Sequence, residues 1–311
     1  AIYSVLRGKD MATDQFSDSL RDEQFEKLKE YHSEVLNLTN WHEFHKCLQL
    51  AGFRNENMIS SRLAILYAYA LFLIGRCEHK IDLAELRPII AKWFFMCSIT
   101  SRYTGSPETR FERDLNDFKD CKNAQEFLNA IENIISTELT DDFWSISLPN
   151  DLNTSSARSP SLYAYHAALN LLDAKALFSK MKVSELVDPS VRGNKAALEK
   201  HHLFPKKFLE RKGISGQRKT NQIANFALVE WSDNIKISDD DPAAYFPKLI
   251  ERYDQNERAQ LYFWHALPDG WESMNYEVFL EKRRRAIAAV IREGFRSLSS
   301  SNKNEIERKV G

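Results

Sequence analysis

Apolar residues recur at helical spacing through most of the first 190 residues, and this pattern constrains the fold more than any other. Residues 18–36 and 82–99 carry apolar side chains at close to a 3.6-residue period. Ser106, Pro107 and Glu108 form a strong helix start, because Ser caps a helix and Pro fits its first turn. Further helices are predicted over residues 59–74, 123–136 and 162–179. With only ten glycines and nine prolines, the chain is predicted to be mainly α.

The pattern changes at about residue 190. Residues 198–205 are predicted to form a short strand that ends at a proline, and residues 224–230 a second strand after a loop. A helix is predicted to begin at residues 232–235, and closing helices over 242–253 and 274–298. We therefore predict a helical domain over 1–190, a small ββα unit near the C-terminus over 191–245, and closing helices over 246–311.

Two adjacent histidines carry the clearest chemical signal. Neighbouring residues on a strand point to opposite faces, so His201 and His202 can have different roles. A neutral imidazole accepts a proton from water near neutral pH, and a second imidazole can bind a divalent metal. A His pair alone is weak support, since such pairs are common on surfaces. The pair gains specificity from Pro205 and from two asparagines downstream, Asn225 and Asn234.

Three runs of residues resemble a known nuclease family. His201 to Lys206, Asn221 to Phe226 and Asn234 to Ser238 resemble the HNH (ββα-metal) domain in the C-terminal half of GmrSD-like, modification-dependent (type IV) restriction enzymes. That family acts in phage defence. Residues 242–245 and 102–109 resemble two further segments of the same family. The DGQQR-type motif of the family's N-terminal half has no match here.

The resemblance implies a role for each of these residues. His202 would be the general base, with Asn225 pinning the loop between the strands to orient it and Asn221 supporting it from the other side of the loop. His201 and Asn234 would hold Mg²⁺ or Mn²⁺. Many HNH sites have Asp or His where this chain has Asn234, so modest metal affinity is expected. Phosphates would contact four basic side chains, Lys206, Lys207, Arg211 and Lys212.

Positive charge is concentrated around the histidines. Residues 192–219 hold nine basic and two acidic residues, whereas the whole chain has a net charge of −1. A local basic surface of this kind suits a phosphate backbone. The alternative is a solvated loop that happens to be basic. The segment therefore favours a phosphate-bearing partner, and the resemblance implies that this is DNA, double-stranded and either modified or foreign.

Composition and hydropathy bear on where the protein acts. The most apolar run, residues 63–74, is too short to cross a bilayer, and no signal peptide is present. The four cysteines are widely spaced and are interpreted as reduced thiols, which favours a cytoplasmic protein. The chain begins at Ala1 without Met and is interpreted as a fragment. The resemblance implies that its missing partner is the N-terminal nucleotide-binding domain.

The predicted function is a metal-dependent DNA endonuclease of a bacterial anti-phage restriction system. Two alternatives stay open. The chain could be a non-catalytic DNA-binding or regulatory module of such a system, or an RNA-cleaving toxin, because HNH chemistry does not choose between DNA and RNA. Elsewhere, His42 and His45 are interpreted as a helix-surface pair. The basic turn at residues 283–285 either extends a DNA-binding face or is a solvated helix end.

Overall fold

A computed structural model describes residues 8–10, 13, 15–186, 198–230 and 239–310, with side chains as far as residue 299. The chain divides into two compact units. The first unit comprises Ala1–Leu50 and Ser61–Glu138, and the second comprises Ala51–Ser60 and Leu139–Gly311. The predicted mainly α fold is confirmed. No helix among the described residues is long and apolar enough to cross a membrane.

The first unit is helical. Its helices are α1 (Asp18–Val35), α2 (Leu38–Leu50), α3 (Arg62–Leu73), α4 (Leu83–Ile99), α5 (Pro107–Phe118) and α6 (Ala124–Glu138). A π-helical turn, Ile74–Glu78, follows α3. The core lies along α4, which is buried over most of its length, and its start is capped by the Asp82 carboxylate. Residues 59–74 are apolar nearly all round, a pattern that predicts a central helix, but Leu66 on α3 is 52% exposed.

An ion network joins α5, α6 and the turn that follows α4. The Arg102 guanidinium donates to both carboxylate oxygens of Asp114 at 3.0 and 2.6 Å and to Glu138 at 2.7 Å. The Tyr103 hydroxyl donates to Asp114 at 2.7 Å. Asp114 is 1% exposed, so these bonds compensate for its burial. Through these bonds Arg102 and Tyr103 fix the turn between α4 and α5 against Asp114 of α5.

The second unit contains a two-stranded sheet surrounded by helices. The helices are α7 (Leu148–Asp151), α8 (Pro160–Leu171), α9 (Val183–Leu186), α10 (Lys206–Arg211), α11 (Gln217–Thr220), α12 (Pro242–Ile250), α13 (Gln255–Trp264) and α14 (Tyr276–Val310). The strands are β1 (Leu198–His202) and β2 (Phe226–Glu230). Short 3₁₀ turns occupy Glu56–Met58, Ile223–Asn225 and Trp271–Ser273, and a π-helical turn occupies Phe143–Ser147.

The strands pair antiparallel, with His201 opposite Ala227 and His202 opposite Phe226. The free edge of β2 is met by Leu177, whose N–H donates to the Leu228 carbonyl at 2.8 Å. The order of the two strands agrees with the sequence prediction, but β1 ends at His202 and not at residue 205. The segment predicted as a loop between the strands contains the short helices α10 and α11. The helix predicted to begin at residues 232–235 lies outside the described residues, so the third element of a ββα unit stays a prediction.

Helix α14 packs closely on α8. Gly294 faces Ala168 so closely that a Cβ added at Gly294 would lie 2.6 Å from the Ala168 Cβ and 2.7 Å from its Cα. Helix α8 ends at Leu171, well before the predicted residue 179, because Asp173 adopts a left-handed backbone conformation with φ of 51°. Helix α14 also reaches the turn that contains Asn225, because its buried Arg283 donates to the Ala224 carbonyl.

The observed units differ from the predicted boundaries at residues 190 and 245. The described part of the ββα segment lies in one compact unit with residues from 139 onward and with α12 to α14. Residues 51–60 also belong to this unit. The Gly52 carbonyl accepts a hydrogen bond from the buried Asn170 amide at 2.8 Å, and a Cβ at Gly52 would lie 2.4 Å from the Ala167 carbonyl oxygen. Tertiary contacts of this kind leave no mark on local periodicity.

Candidate active site

The two histidines occupy the last two positions of β1. His201 is 4% exposed, whereas His202 is half-buried, as expected for neighbours that point to opposite faces of a strand. Pro205 follows and allows α10 to begin at Lys206, since proline is suited to a helix start. The sequence therefore folds so that each imidazole meets a different set of partners.

His202 is held by an amide. Its Nε2 lies 3.0 Å from the side-chain oxygen of Asn221, which can only accept, so Nε2 is the protonated nitrogen. The lone pair is then on Nδ1, the nitrogen that can take a proton. Burial lowers the pKa of His202 below its ordinary value, although the hydrogen bond to Asn221 opposes this shift and the Lys206 charge adds to it. The lowered pKa favours the neutral imidazole of His202.

Asn225 bridges the two ends of the loop between the strands. Its side-chain oxygen accepts from the Phe204 N–H at 2.9 Å, and its amide nitrogen donates to the carbonyls of Phe204 at 3.1 Å and Thr220 at 3.0 Å. The residue is fully buried. These bonds fix residues 203–205 against residues 220–221, and so fix His202 relative to Asn221.

His201 faces α12. Its Nε2 lies 3.3 Å from the hydroxyl oxygen of Tyr245, and the two rings meet edge to face. The same hydroxyl donates to the Leu203 carbonyl at 2.7 Å. Tyr245 is buried, and burial raises its pKa. A phenol that stays protonated at all accessible pH values therefore lies beside His201.

The prediction for Arg283 is corrected. This residue is fully buried and does not extend a surface. Its guanidinium donates to the His265 carbonyl at 3.1 and 2.9 Å and to the Ala224 carbonyl at 2.7 Å. Burial lowers its pKa. Because Ala224 precedes Asn225, this bond ties α14 to the loop of the candidate site.

The predicted metal ligands are described only in part. His201 is placed at the end of β1, whereas Asn234 lies outside the described residues. Within the ranges that the structure describes, no three His, Cys, Asp or Glu side chains converge closely enough to hold a metal ion. An imidazole paired with an amide oxygen suits Mn²⁺ better than Mg²⁺, because Mg²⁺ prefers oxygen ligands. The described residues thus supply one of the two predicted ligands.

The four predicted phosphate-binding residues are all exposed, but they differ in their partners. Lys207 donates to the Asp239 carboxylate at 2.6 Å, and Arg211 to the Asp239 carbonyl at 2.9 Å. Lys212 lies 5.7 Å from the centre of the Phe208 ring. Lys206 forms no ion pair with any residue that the structure describes. Of the four, Lys206 is therefore the most available to a phosphate.

Two residues of this region were missed as contributors to the site. Tyr245 was noted only within a resembling segment, and its contact with His201 depends on tertiary packing. Arg283 had a usable signal. It lies four residues after Phe279 and four before Ile287, on the apolar stripe of α14, where a solvated arginine is unexpected. The other singled-out pair, His42 and His45, is exposed on α2.

Comparison with known proteins adds one distant relative. Over 165 residues the chain is 28% identical to an uncharacterized protein of Methanocaldococcus jannaschii, a match that covers 52% of this chain. The match covers 25% of that protein, so the chain spans about a quarter of its relative's length. No family model and no solved structure matches the chain.

Proposed function

We propose that this chain is a metal-dependent HNH DNA endonuclease, the cutting part of a restriction-type defence system. One observation supports this above the others. The Nε2 of His202, at the end of β1, is held by the Asn221 side-chain oxygen, and the loop that carries Asn221 is fixed by the Asn225 amide. A general base needs a defined tautomer and a fixed orientation, and this arrangement can provide both. The assignment to a defence system rests on the sequence resemblance alone.

The residues divide the work of phosphodiester hydrolysis. His202 Nδ1 takes a proton from water, and the hydroxide formed attacks the phosphorus while the bond to the leaving oxygen breaks. Asn221 stabilises the imidazolium that forms, because its oxygen accepts from Nε2. A divalent ion held by His201 and Asn234 would supply charge stabilisation for the phosphate and the leaving oxygen.

The basic surface on α10 and α11 would bind the substrate backbone. Lys206 follows the histidines, and Arg218 and Lys219 are exposed without an ion pair among the described residues. Phosphate contacts position a duplex without reading its bases. We therefore expect weak sequence specificity from this chain alone. Any preference for a modified base would come from another part of the full protein.

The test is cleavage of a supercoiled plasmid with Mg²⁺, Mn²⁺ or EDTA, beside a single-stranded RNA of similar length. The proposal expects nicking that requires metal, with Mn²⁺ at least as effective as Mg²⁺, and faster cleavage of DNA than of RNA. Cleavage that persists in EDTA would contradict the metal requirement. Metal-dependent cleavage of RNA alone would favour the toxin alternative, and DNA binding without cleavage in either metal would favour the binding module.

A further inference from the structure

We propose that Lys200 forms a phosphate-binding site beside His202, on the face of β1 that both side chains share, with His166 of α8 at its edge. In the proposed nuclease reaction this site would hold the scissile phosphate, and for that role the inference rests on the proposed function. Phosphate binding itself can be measured without metal or cleavage.

The side chains of Lys200 and His202 lie on one face of the sheet because they are two positions apart on β1, which places their Cα atoms about 6.6 Å apart. His202 stands opposite Phe226, and the centres of their rings are 4.5 Å apart. Lys200 stands opposite the buried Leu228 and is itself exposed. The long, flexible stem of Lys200 lets its ammonium group reach a phosphate at His202.

No carboxylate competes for the Lys200 ammonium group within the part of the chain that the structure describes. The Lys200 side chain forms no ion pair and no hydrogen bond there. Glu230 lies at the far end of the same face, opposite residue 198, and its carboxylate accepts from the Ser179 hydroxyl. The charge of Lys200 can therefore bind an anion, in contrast with that of Lys207, which is paired with Asp239.

His166 supplies a second donor near Lys200. Its imidazole is half-buried and makes no hydrogen bond with any described residue. The pKa of His166 is lowered to about 3, chiefly by burial and also by the Lys200 charge, so the two side chains lie close together. The neutral imidazole has one N–H that can donate to a phosphate oxygen. Two donors from different elements, β1 and α8, thus lie near each other without a protein acceptor among the described residues.

A cation at this place suits the chemistry of the proposed reaction. Negative charge develops on the non-bridging oxygens of a phosphodiester as water attacks it, and a fixed cation beside them stabilises that charge. While His202 takes the proton from water, Lys200 Nζ would donate to one non-bridging oxygen of the same phosphate. Lys200 would then act at the reacting phosphate, whereas Lys206 is proposed to contact the backbone.

The cleavage test compares Lys200→Met with a matched control, Lys248→Met, in the full chain with Mn²⁺. Lys248 is an exposed lysine of α12 in the same unit, so each variant loses one positive charge. The substrate is bis(p-nitrophenyl) phosphate, a diester too small to span the basic surface of α10 and α11. We expect kcat to fall about 10²-fold in Lys200→Met, to recover in part in Lys200→Arg, and to stay at the wild-type value in Lys248→Met.

The binding test uses inorganic phosphate in EDTA, with the ionic strength held constant with chloride. Long-range ¹H–¹⁵N correlation spectra follow the ring signals of His166 and His202, which are assigned with His166→Gln and His202→Gln. In the wild type and in Lys248→Met these signals should shift and saturate. In Lys200→Met the dissociation constant should rise at least about tenfold, because a charge-assisted hydrogen bond is lost.

The two tests separate the inference from the proposed function. A Lys200→Met protein that hydrolyses the diester at the wild-type rate would overturn the role of Lys200 at the scissile phosphate. If phosphate moved neither imidazole signal, or moved both equally in the wild type and in Lys200→Met, the site would be overturned even in an active nuclease. If the wild type hydrolysed no diester but bound phosphate through Lys200, the nuclease assignment would be wrong and the phosphate site would stand.

Discussion

At the scale of single residues, the Asn225 amide is the most constrained group of the candidate site. It makes three hydrogen bonds to backbone groups and has no access to water. Unlike a carboxylate or a hydroxyl, an amide offers two donors and an acceptor on one planar group. The geometry therefore requires asparagine, because side chains of equal size such as aspartate or leucine lack its combination of two donors and one acceptor.

We predict that Asn225→Asp lowers the free energy of unfolding by about 2–4 kcal/mol, because a carboxylate oxygen would replace the donor that faces two carbonyls. Urea unfolding at pH 7.5 measures the change. Asn150→Asp, at an exposed position of the same unit, is the control and should change stability by less than about 0.5 kcal/mol. Equal effects in the two variants would contradict the bridging role.

A contact of the site can be predicted from the sequence more easily when its two residues are few positions apart along the chain. The two histidines and Asn225 lie close along the chain, so their association could be inferred from the motif. The partner of His201 could not, because Tyr245 is 44 residues away and reaches it only when α12 docks on the sheet. The position of Asn234 remains a prediction, as does its role with His201.

At the scale of elements, most helices could be predicted from hydrophobic periodicity. Helix α1 was predicted over residues 18–36 and runs over Asp18–Val35. Helix α4 was predicted over residues 82–99 and runs over Leu83–Ile99, with Asp82 as its cap. Two helix ends are misplaced: α14 was predicted to end at residue 298 but continues to Val310, and α8 ends well before residue 179. The end of α8 has a visible cause. There, Asp173 takes a left-handed conformation that the sequence does not announce, since no glycine or proline is present.

The crossing of α14 and α8 depends on Gly294. At an ordinary exposed helix position, Gly→Ala stabilises a protein by about 1 kcal/mol. Here we predict that Gly294→Ala destabilises it by about 1–3 kcal/mol, because the new methyl group would overlap Ala168. Thermal or urea unfolding decides the sign, and a stabilised Gly294→Ala protein would show that the two helices do not pack this closely.

Helix α10 gives a paired prediction for DNA binding. Lys206 has no ion pair among the described residues, whereas Lys207 is bound to Asp239. Lys206→Ala should reduce the slope of log K against log salt by about 0.9, the value for one phosphate contact on a duplex. Lys207→Ala should reduce this slope less, because Lys207 is already paired with Asp239. Fluorescence anisotropy with a labelled duplex in EDTA measures both slopes, and a larger effect for Lys207→Ala would contradict the assignment.

At the scale of the whole molecule, the division into units could not be read from the sequence. Residues 51–60 lie between helices of the first unit but belong to the second, because Gly52 contacts Ala167 and Asn170 there. Contacts across more than a hundred residues decide such a division. Local sequence patterns predict where helices lie along the chain, but they do not predict which helices pack into the same compact unit.

The stability of the protein should depend on pH through buried His265. The pKa of this histidine is lowered to about 3, chiefly by burial and also by the nearby Arg283 charge, although the hydrogen bond to the Lys175 carbonyl opposes the shift. The unfolded chain binds the proton near pH 6.5, whereas the folded protein does so only near pH 3. Stability is therefore fully present above pH 6.5 and falls as the pH drops toward 3.

In this window His265 contributes a slope of up to about 1.4 kcal/mol per pH unit. His265→Gln should remove that contribution between pH 6 and pH 4.5, whereas His42→Gln, at an exposed position, should retain it. Urea unfolding at several pH values measures both slopes. If the two variants lose stability with falling pH at the same rate, His265 is not the group that titrates.

The central claim is that His202 is the general base of a metal-dependent nuclease, and the most direct test is the initial rate of plasmid nicking by His202→Ala in Mn²⁺. The rate is compared with that of the wild type and of His42→Ala, which removes an exposed imidazole from the first unit. The account predicts a loss of about 10²–10⁴-fold for His202→Ala and none for His42→Ala. A His202→Ala protein that nicks at the wild-type rate would contradict it.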